Sequence, residues 1–213
     1  MKNIRTIGLI GYGDLGLQFQ KMIIGEGKEE VRFLFFDDKK HELTPESVSP
    51  FYGYRENDDP QIEYIVCLGY HHLKLKREII AELKSSGKKL YNLIHTTAYI
   101  SKSAKIGDGV VIYPLCNVDE GCVIEDGVLL NNSCVVSHDT VIGNSTYFGA
   151  GVIISGMVRI GECSFIGSGT STANTLSIGS YCKIGVGSVI TKSIPDDTQG
   201  VGNPFRSVSI LLK

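Results

Sequence analysis

Residues 118–160 read VDEGCVIEDGVLLNNSCVVSHDTVIGNSTYFGAGVIISGMVRI, with a large apolar residue at every sixth position. The same register begins at Ile94 and runs to Ile190 without an insertion, and only Thr172 departs from the apolar pattern. A period of six matches neither an α-helix nor a simple alternating strand. It is typical of a β-helix, in which each six-residue repeat supplies a short strand and a corner. We therefore predict a parallel β-helix with the repeated apolar side chains inside it.

The position two residues before each large apolar residue carries a small or β-branched side chain, which we expect to share the interior. Four of the six cysteines occupy this position: Cys116, Cys122, Cys134 and Cys182. We interpret them as small core residues. Because the sequence shows neither a CxxC motif nor an export signal, we expect reduced thiols and a cytoplasmic location.

The composition argues against several classes of function. The formal net charge is −2 and there is no basic stripe, so nucleic acid is not an expected partner. The apolar runs, such as residues 31–36, are too short to span a bilayer. A zinc carbonic anhydrase built on the same repeat needs three converging histidines, and only His95 and His138 lie in the repeats. We therefore expect no metal and no membrane span.

The first ninety residues alternate predicted strands and helices, which is typical of a parallel α/β sheet. The turn GYGDLG places Gly11, Gly13 and Gly16 between the first strand and the first helix, where a helix N-terminus suits a phosphate. Asp37 and Asp38 end the second strand, where an acid suits a ribose. We predict a Rossmann-like domain over residues 1–92 and the β-helix over residues 93–213. The first segment is too short for two full mononucleotide halves, so we favour a mononucleotide or nucleotide-sugar over NAD.

One histidine differs from the other four. His138 lies in Ser137-His138-Asp139, two residues past an interior position, so we expect it at a corner pointing outward. An imidazole can take a proton from an amine or alcohol during acyl transfer, and a neighbouring carboxylate can orient it. The alternative, an exposed corner histidine without a role, stays open on spacing alone. The roles of His71 and His72, which follow the third predicted strand, also stay open.

The chain as a whole resembles a bacterial sugar acyltransferase family. The segments that match are residues 92–95 (NLIH), 131–143 (NNSCVVSHDTVIG) and 201–206 (VGNPFR), together with the glycine turn and the hexapeptide repeat. This family includes sialic acid O-acetyltransferases and nucleotide-sugar 4-amino N-acetyltransferases. The resemblance implies a left-handed β-helix with three repeats per coil, so that residues 18 apart stack. Stacking brings Gly156 next to His138, where its N–H would hold the thioester oxygen as charge develops.

The resemblance also implies the residues of the site. His138 becomes the general base and Asp139 its supporting acid. Acetyl-CoA is the co-substrate, and it would lie along the coils between the subunits of a homotrimer. The implied acetyl-CoA contacts are Tyr147, Gly156, Ser168, Val186 and Arg206. The implied nucleotide-sugar contacts are Gly11, Gly13, Asp14, Leu15, Asp37, Asp38, Gly69 and Asn131. Some relatives have histidine where Tyr147 stands, and several carry a histidine near Leu15 that this chain lacks.

We therefore predict acetyl-CoA-dependent N-acetylation of a nucleotide-linked amino sugar, by direct attack with His138 as base. The nearest alternative is O-acetylation of a sugar such as sialic acid, and transfer of another acyl group also stays open. Two further alternatives are a catalytically silent scaffold or nucleotide sensor, which predicts no CoA binding, and an NAD-linked oxidoreductase, for which no catalytic residues are visible.

Overall fold

The computed structural model describes residues 4–27 and 30–208. The chain divides into two compact units, Met1–Leu93 and Ile94–Lys213. Within the two described ranges, no helix is both long enough and apolar enough to cross a membrane.

The N-terminal unit is built on a four-stranded parallel sheet in the order β2-β1-β3-β4. Its strands are β1 (Arg5–Ile10), β2 (Val31–Phe36), β3 (Glu63–Val66) and β4 (Lys89–Leu90). Its helices are α1 (Asp14–Glu26), α2 (Asp38–Leu43) and α3 (Leu73–Ser85), with 3₁₀ turns at Phe51–Glu56 and Tyr70–His72. Because β1 is a central strand, Ile7, Leu9 and Ile10 are fully buried.

The prediction of a Rossmann-like domain is wrong, although the predicted parallel sheet is confirmed. The sheet of the described residues has only four strands, and β4 has only two residues. The unit β1-α1-β2 is followed by the short helix α2 and a 3₁₀ turn, and the unit β3-α3-β4 ends in a strand of only two residues, so no second complete mononucleotide half is formed.

The glycine spacing that suggested this fold has a packing explanation. A Cβ at Gly16 would come within 2.5 Å of the carbonyl oxygen of Gly11, so the third glycine lets α1 pack closely against the end of β1. Gly11 has a φ of 90°, which favours glycine. Close packing of this kind serves any strand–helix connection, and therefore the spacing does not identify a dinucleotide fold.

The second unit is a left-handed β-helix of about six turns. Eighteen short strands form its three parallel faces. Face 1 comprises β7 (Lys105–Ile106), β10 (Val123–Ile124), β13 (Val141–Ile142), β16 (Arg159–Ile160) and β19 (Ser177–Ile178). Face 2 comprises β5 (Leu93–Ile94), β8 (Val111–Ile112), β11 (Leu129–Leu130), β14 (Tyr147–Phe148), β17 (Phe165–Ile166), β20 (Lys183–Ile184) and β22 (Gln199–Val201). Face 3 comprises β6 (Tyr99–Ile100), β9 (Asn117–Val118), β12 (Val135–Val136), β15 (Ile153–Ile154), β18 (Ser171–Thr172) and β21 (Val189–Ile190).

Residues 18 apart pair across adjacent coils, as in Val123 with Val141 and Leu129 with Tyr147. Neighbouring parallel strands lie about 4.8 Å apart, so each column of equivalent residues climbs by that distance per coil.

The three faces form a triangular prism, and two of its edges carry predicted site residues. The histidine edge, between faces 3 and 1, holds residues 119–121, 137–139, 155–157 and 173–175. The serine edge, between faces 2 and 3, holds residues 131–133, 149–151, 167–169 and 185–187.

The predicted interior row forms the core of the β-helix. Val136, Ile142, Phe148 and Ile154 are completely buried. Each such aliphatic side chain stabilises the fold by roughly 1.5–3 kcal/mol. The four cysteines of the small interior position are also buried in this cluster, and all six cysteines of the chain are free.

The last coil is followed by a strand that runs antiparallel to its neighbour on face 2. Strand β23 (Arg206–Ser207) pairs antiparallel with β22, through Gly200 with Ser207 and Val201 with Arg206. It is the final strand in the order of face 2.

The buried thiols predict a loss of stability at alkaline pH. Burial raises the pKa of Cys67, Cys122 and Cys182, because a thiolate there would lose its water. In the unfolded chain the same thiols ionise near pH 8.5, at about their ordinary pKa. Above that pH the folded state therefore holds protons that the unfolded state releases, and the free energy of unfolding falls as pH rises.

We expect the urea midpoint of unfolding to drop between about pH 8 and pH 9.5, below the ordinary range of tyrosine ionisation. A Cys122→Ala variant should show a shallower drop. An unchanged midpoint across this range would contradict the argument.

Candidate active site

The histidine edge carries a contact between an imidazole and a carboxylate. His138 Nδ1 lies 3.0 Å from Asp139 Oδ2, and both side chains are at least half exposed. Because an ionised carboxylate only accepts hydrogen bonds, Nδ1 carries the hydrogen in this contact and Nε2 of the neutral ring is left as an acceptor. Asp139 has a φ of 57°, the left-handed conformation that recurs at this corner position of the repeats. The pair therefore presents a basic nitrogen at the surface of one prism edge.

Gly156 lies against the imidazole from the next coil. A Cβ at position 156 would meet His138 Cε1 at 2.7 Å and Cδ2 at 3.0 Å. Backbone geometry is not what requires a glycine here, because the stacked positions in the two neighbouring coils are His138 and Asn174. The absence of a side chain at 156 leaves the space that the imidazole fills.

Gly156 also carries a backbone N–H. Gly156 is buried, and no acceptor for this N–H is found in the part of the chain that the structure describes, as is also the case for the equivalent corner residues Ala150 and Ser168. Donors placed in this way stabilise negative charge that develops on an oxygen.

The coil that holds Gly156 departs from the regular ladder. In the preceding coil, Ser137 N–H donates to the carbonyl oxygen of Ile154 at 2.9 Å. Ser155 N–H instead donates to the side-chain Oγ1 of Thr172 at 3.0 Å, and Ser155 Oγ donates to the Thr172 carbonyl at 2.6 Å. Thr172, the one polar residue of the interior row, thus bonds twice to the residue that precedes Gly156.

The implied acetyl-CoA residues do not all lie on the histidine edge. Ser168 and Val186 stack on the serine edge and are exposed, Val186 to 67%. Tyr147 lies on face 2, with its ring centroid 5.9 Å from that of Phe165. Within one chain, only Gly156 of this set adjoins His138, so the structure divides the set between different edges.

Asn131, which the family resemblance implies as a contact of the nucleotide-sugar, lies on the serine edge. Its Oδ1 accepts hydrogen bonds from the N–H of Asn132 at 2.8 Å and from Asn132 Nδ2 at 3.0 Å. It therefore lies on a different edge from His138 in the same chain.

Arg206 lines a cleft of about 390 Å³ near the end of the β-helix. Lys192, Ser193, Thr198 and Phe205 line the same cleft. Two basic side chains and two hydroxyl groups in one cleft suit a phosphate.

The glycine turn of the N-terminal unit forms the start of α1. Gly13 is the residue that precedes the helix, and no side chain caps it. Asp14 is exposed in the first turn and Leu15 is half-buried. The uncapped amide groups of a first helical turn favour an anion, whereas the Asp14 carboxylate opposes one unless it points away.

Asp37 and Asp38 both have structural hydrogen bonds. Asp37 Oδ2 accepts from Tyr12 N–H at 2.9 Å, and its Oδ1 accepts from Lys40 N–H at 3.0 Å at the start of α2. Asp38 Oδ1 accepts from Phe51 N–H at 2.8 Å. Gly69 precedes the 3₁₀ turn that begins at Tyr70. The two acids therefore organise the loops after β2, and their remaining lone pairs face no described partner.

Sequence reasoning missed Gly121, which stands 18 residues before Asp139. A Cβ there would overlap with Asp139 Oδ1. The stacking rule that paired His138 with Gly156 also pairs Gly121 with Asp139, so the signal was present in the sequence. Among the described residues no group of His, Cys, Asp and Glu side chains is arranged to hold a metal ion.

The chain is similar in sequence and fold to known acetyltransferase structures. The family model of the GMPPB C-terminal domain matches residues 90–168. The acetyltransferase domain of PglB from Neisseria gonorrhoeae FA1090 is 32% identical, with a TM-score of 0.84, over 96% of this chain and 100% of that domain. The same domain in complex with acetyl coenzyme A matches at 28% identity and a TM-score of 0.83, over 97% of this chain and 100% of that one.

PerB from Caulobacter crescentus, solved with CoA and GDP-perosamine, has the same fold. It is 23% identical, with a TM-score of 0.83, over 98% of this chain and 100% of its own. No curated protein sequence gives a significant match.

Proposed function

This chain belongs to the family of left-handed β-helix acetyltransferases that includes the acetyltransferase domain of PglB, and we propose that it acetylates the amino group of a nucleotide-linked amino sugar with acetyl-CoA. The observation that carries the proposal is the His138–Asp139 contact, with Gly156 packed against its imidazole. The complex of PerB with CoA and GDP-perosamine supports a nucleotide-sugar as acceptor.

His138 is the general base of the proposed reaction. Its Nε2 accepts a proton from the sugar amine as the amine nitrogen attacks the thioester carbonyl carbon. The new C–N bond forms, the carbonyl π electrons move to oxygen, and the C–S bond then breaks. The imidazolium returns the proton to the departing CoA thiolate. No covalent intermediate with the enzyme is required.

Asp139 and Gly156 support this base from two sides. The Asp139 carboxylate keeps the hydrogen on Nδ1 and stabilises the imidazolium that forms. The Gly156 N–H donates to the oxygen on which charge develops, where a well-placed donor is worth several kcal/mol, roughly 3. Both groups contact either the base or the reacting atoms, and neither has to move during the reaction.

The proposal includes a homotrimer with its sites between subunits. His138 and Gly156 lie on one edge of the chain and Ser168 and Val186 on another, which supports a site shared between two copies. Packing of the histidine edge against the serine edge of a neighbour would complete the site, with Tyr147 and Asn131 beside it. A cyclic assembly of three copies closes this contact. Sedimentation is expected to give three times the 23.2 kDa chain mass, and a monomer would contradict this part.

The remaining predicted residues are assigned to CoA and to the nucleotide-sugar. Arg206, in the cleft near the end of the β-helix, binds a phosphate of CoA, for which a guanidinium is well suited. The nucleotide-sugar is held by Gly11, Gly13, Asp14 and Leu15 of the glycine turn, by Asp37 and Asp38, and by the loop at Gly69. The free lone pairs of the two acids are suited to ribose hydroxyls. The free thiols fit a cytoplasmic location.

The function is tested by following free CoA with a thiol reagent. Acetyl-CoA is incubated with the protein and with GDP-, UDP- and dTDP-linked amino sugars, together with sialic acid and the matching hydroxy sugars. We expect CoA release only with a nucleotide-linked amino sugar, and a product that is heavier by one acetyl group. Release with sialic acid or hydroxy sugars would replace the proposal with O-acetylation. A formyl or longer acyl donor that outcompetes acetyl-CoA would replace the donor assignment.

A further inference from the structure

Gly121 lies directly beneath the carboxylate of Asp139, on the histidine edge. A Cβ at this position would overlap with Asp139 Oδ1 and lie 3.4 Å from its Cγ. The other carboxylate oxygen, Oδ2, is the one that contacts His138 Nδ1. The space left by the missing side chain at 121 is therefore the space in which the carboxylate rests.

Backbone conformation does not require a glycine at 121. Gly121 has a φ of 67°, but the equivalent left-handed corner position of other repeats tolerates many side chains. Non-glycine residues at this corner position are Leu115, Ser133, Asp139, Ser145, Met157, Cys163, Thr175 and Tyr181. The fold thus accepts a side chain at this kind of position, and what distinguishes 121 is the carboxylate above it.

We propose that Gly121 is a positioning residue, which holds the Asp139 carboxylate against His138 by leaving room for it. This inference rests on the proposed function, since it assumes that the pair performs the acetyl transfer. The two halves of the pair each rest over a glycine of an adjacent coil: the carboxylate over Gly121, the imidazole against Gly156. The glycines lie on opposite sides along the coil axis, so together they fix the pair from below and above.

A methyl group at 121 should disturb the pair without unfolding the protein. The atom that it meets is the far end of a short side chain that is 65% exposed, so the carboxylate can rotate into solvent. Rotation breaks the contact between Oδ2 and Nδ1. The ring then loses the group that fixes its orientation, and a misplacement of about 1 Å in a catalytic group lowers the rate by up to about 100-fold.

The test compares Gly121→Ala with Gly87→Ala. Gly87, which follows α3, has a φ of 73° and nothing within 4 Å of its Cβ position, so it matches the backbone strain without the overlap and lies outside the proposed site. We expect Gly121→Ala to lower kcat about tenfold, with KM for acetyl-CoA unchanged. Gly87→Ala should keep the wild-type kcat, and both variants should show a small fall in Tm. Equal kcat in the two variants would overturn the proposal.

A double-mutant cycle and a crystal structure separate positioning from a general structural effect. In an Asp139→Ala background, Gly121→Ala should cause no further loss of kcat, because no carboxylate remains to be displaced. An additive loss would show that position 121 acts in another way. The crystal structure of Gly121→Ala should show Oδ2 moved away from Nδ1. If the distance between Oδ2 and Nδ1 in this variant stayed near 3.0 Å, the inference about Gly121 would be wrong whatever the activity. A wild-type protein without acetyltransferase activity would instead contradict the proposed function alone.

Discussion

Replacing His138 by alanine is expected to lower kcat by about 10²–10⁴-fold, the usual contribution of a general base. The residue stands on a surface edge with half of its side chain exposed, so the substitution leaves no cavity in the core and Tm should stay close to the wild-type value. KM for acetyl-CoA should change little, because the imidazole acts on the amine. A variant that keeps more than about a tenth of the wild-type kcat would rule out the assignment.

Chemical rescue provides the control for that loss. Removal of the ring leaves an open space beside Asp139 and Gly156, and imidazole added to the buffer can enter it. We expect added imidazole to restore part of kcat in His138→Ala and to leave the wild-type rate unchanged. Because the reaction also needs a neutral amine, the rate with any acceptor should fall as the pH is lowered.

Gly156→Ala is the second substitution with a large expected effect. Its Cβ would come within 2.7 Å of His138 Cε1, so the imidazole must swing outward into solvent. The variant thereby displaces the base and crowds the N–H that faces the developing oxyanion. Removal of one oxyanion donor alone lowers kcat by about 10²–10³-fold. We therefore expect a loss of at least about 100-fold, with the fold retained.

Asn174→Ala is the matched control for Gly156→Ala. Asn174 occupies the same column one coil further on and is exposed, so its truncation leaves no cavity in the core. It should keep a kcat within about threefold of wild type, a difference of less than 1 kcal/mol. If Gly156→Ala is no slower than this control, the imidazole does not depend on the space at 156, and the proposed geometry of the site fails.

The repeat made the β-helix predictable from sequence, because a buried aliphatic residue every sixth position leaves few alternatives for the backbone. The register, together with the three repeats per coil that the family resemblance implied, located His138 and Gly156 as neighbours, since stacking at 18 residues is then a property of the coil and not of the particular side chains. The same stacking rule pairs Gly121 with Asp139. This pairing was missed, because a glycine with no predicted function gives no reason to examine the residue stacked on it.

Other features lay beyond the sequence. The spacing of Gly11, Gly13 and Gly16 suggested a Rossmann-like domain, but Gly16 is explained by close packing against the Gly11 carbonyl, which many strand–helix turns share. Thr172 was recognisable as an exception in the interior row. Its two hydrogen bonds with Ser155 were not predictable. In them the Thr172 side-chain oxygen replaces the Thr172 carbonyl oxygen as the acceptor of the Ser155 N–H, and the carbonyl accepts from the Ser155 hydroxyl instead. The separation of Ser168 from His138 likewise becomes visible only when the edges of the prism are assigned.

The reversed strand β23 has a consequence for how copies of this protein behave in concentrated solution. A solenoid of parallel coils exposes unpaired backbone groups at its last rung, and a second molecule docking there would extend the stack head to tail. Because β23 already pairs with β22 and is only two residues long, an incoming rung on face 2 would find only a very short strand edge to pair with. The hairpin therefore disfavours head-to-tail stacking on this face.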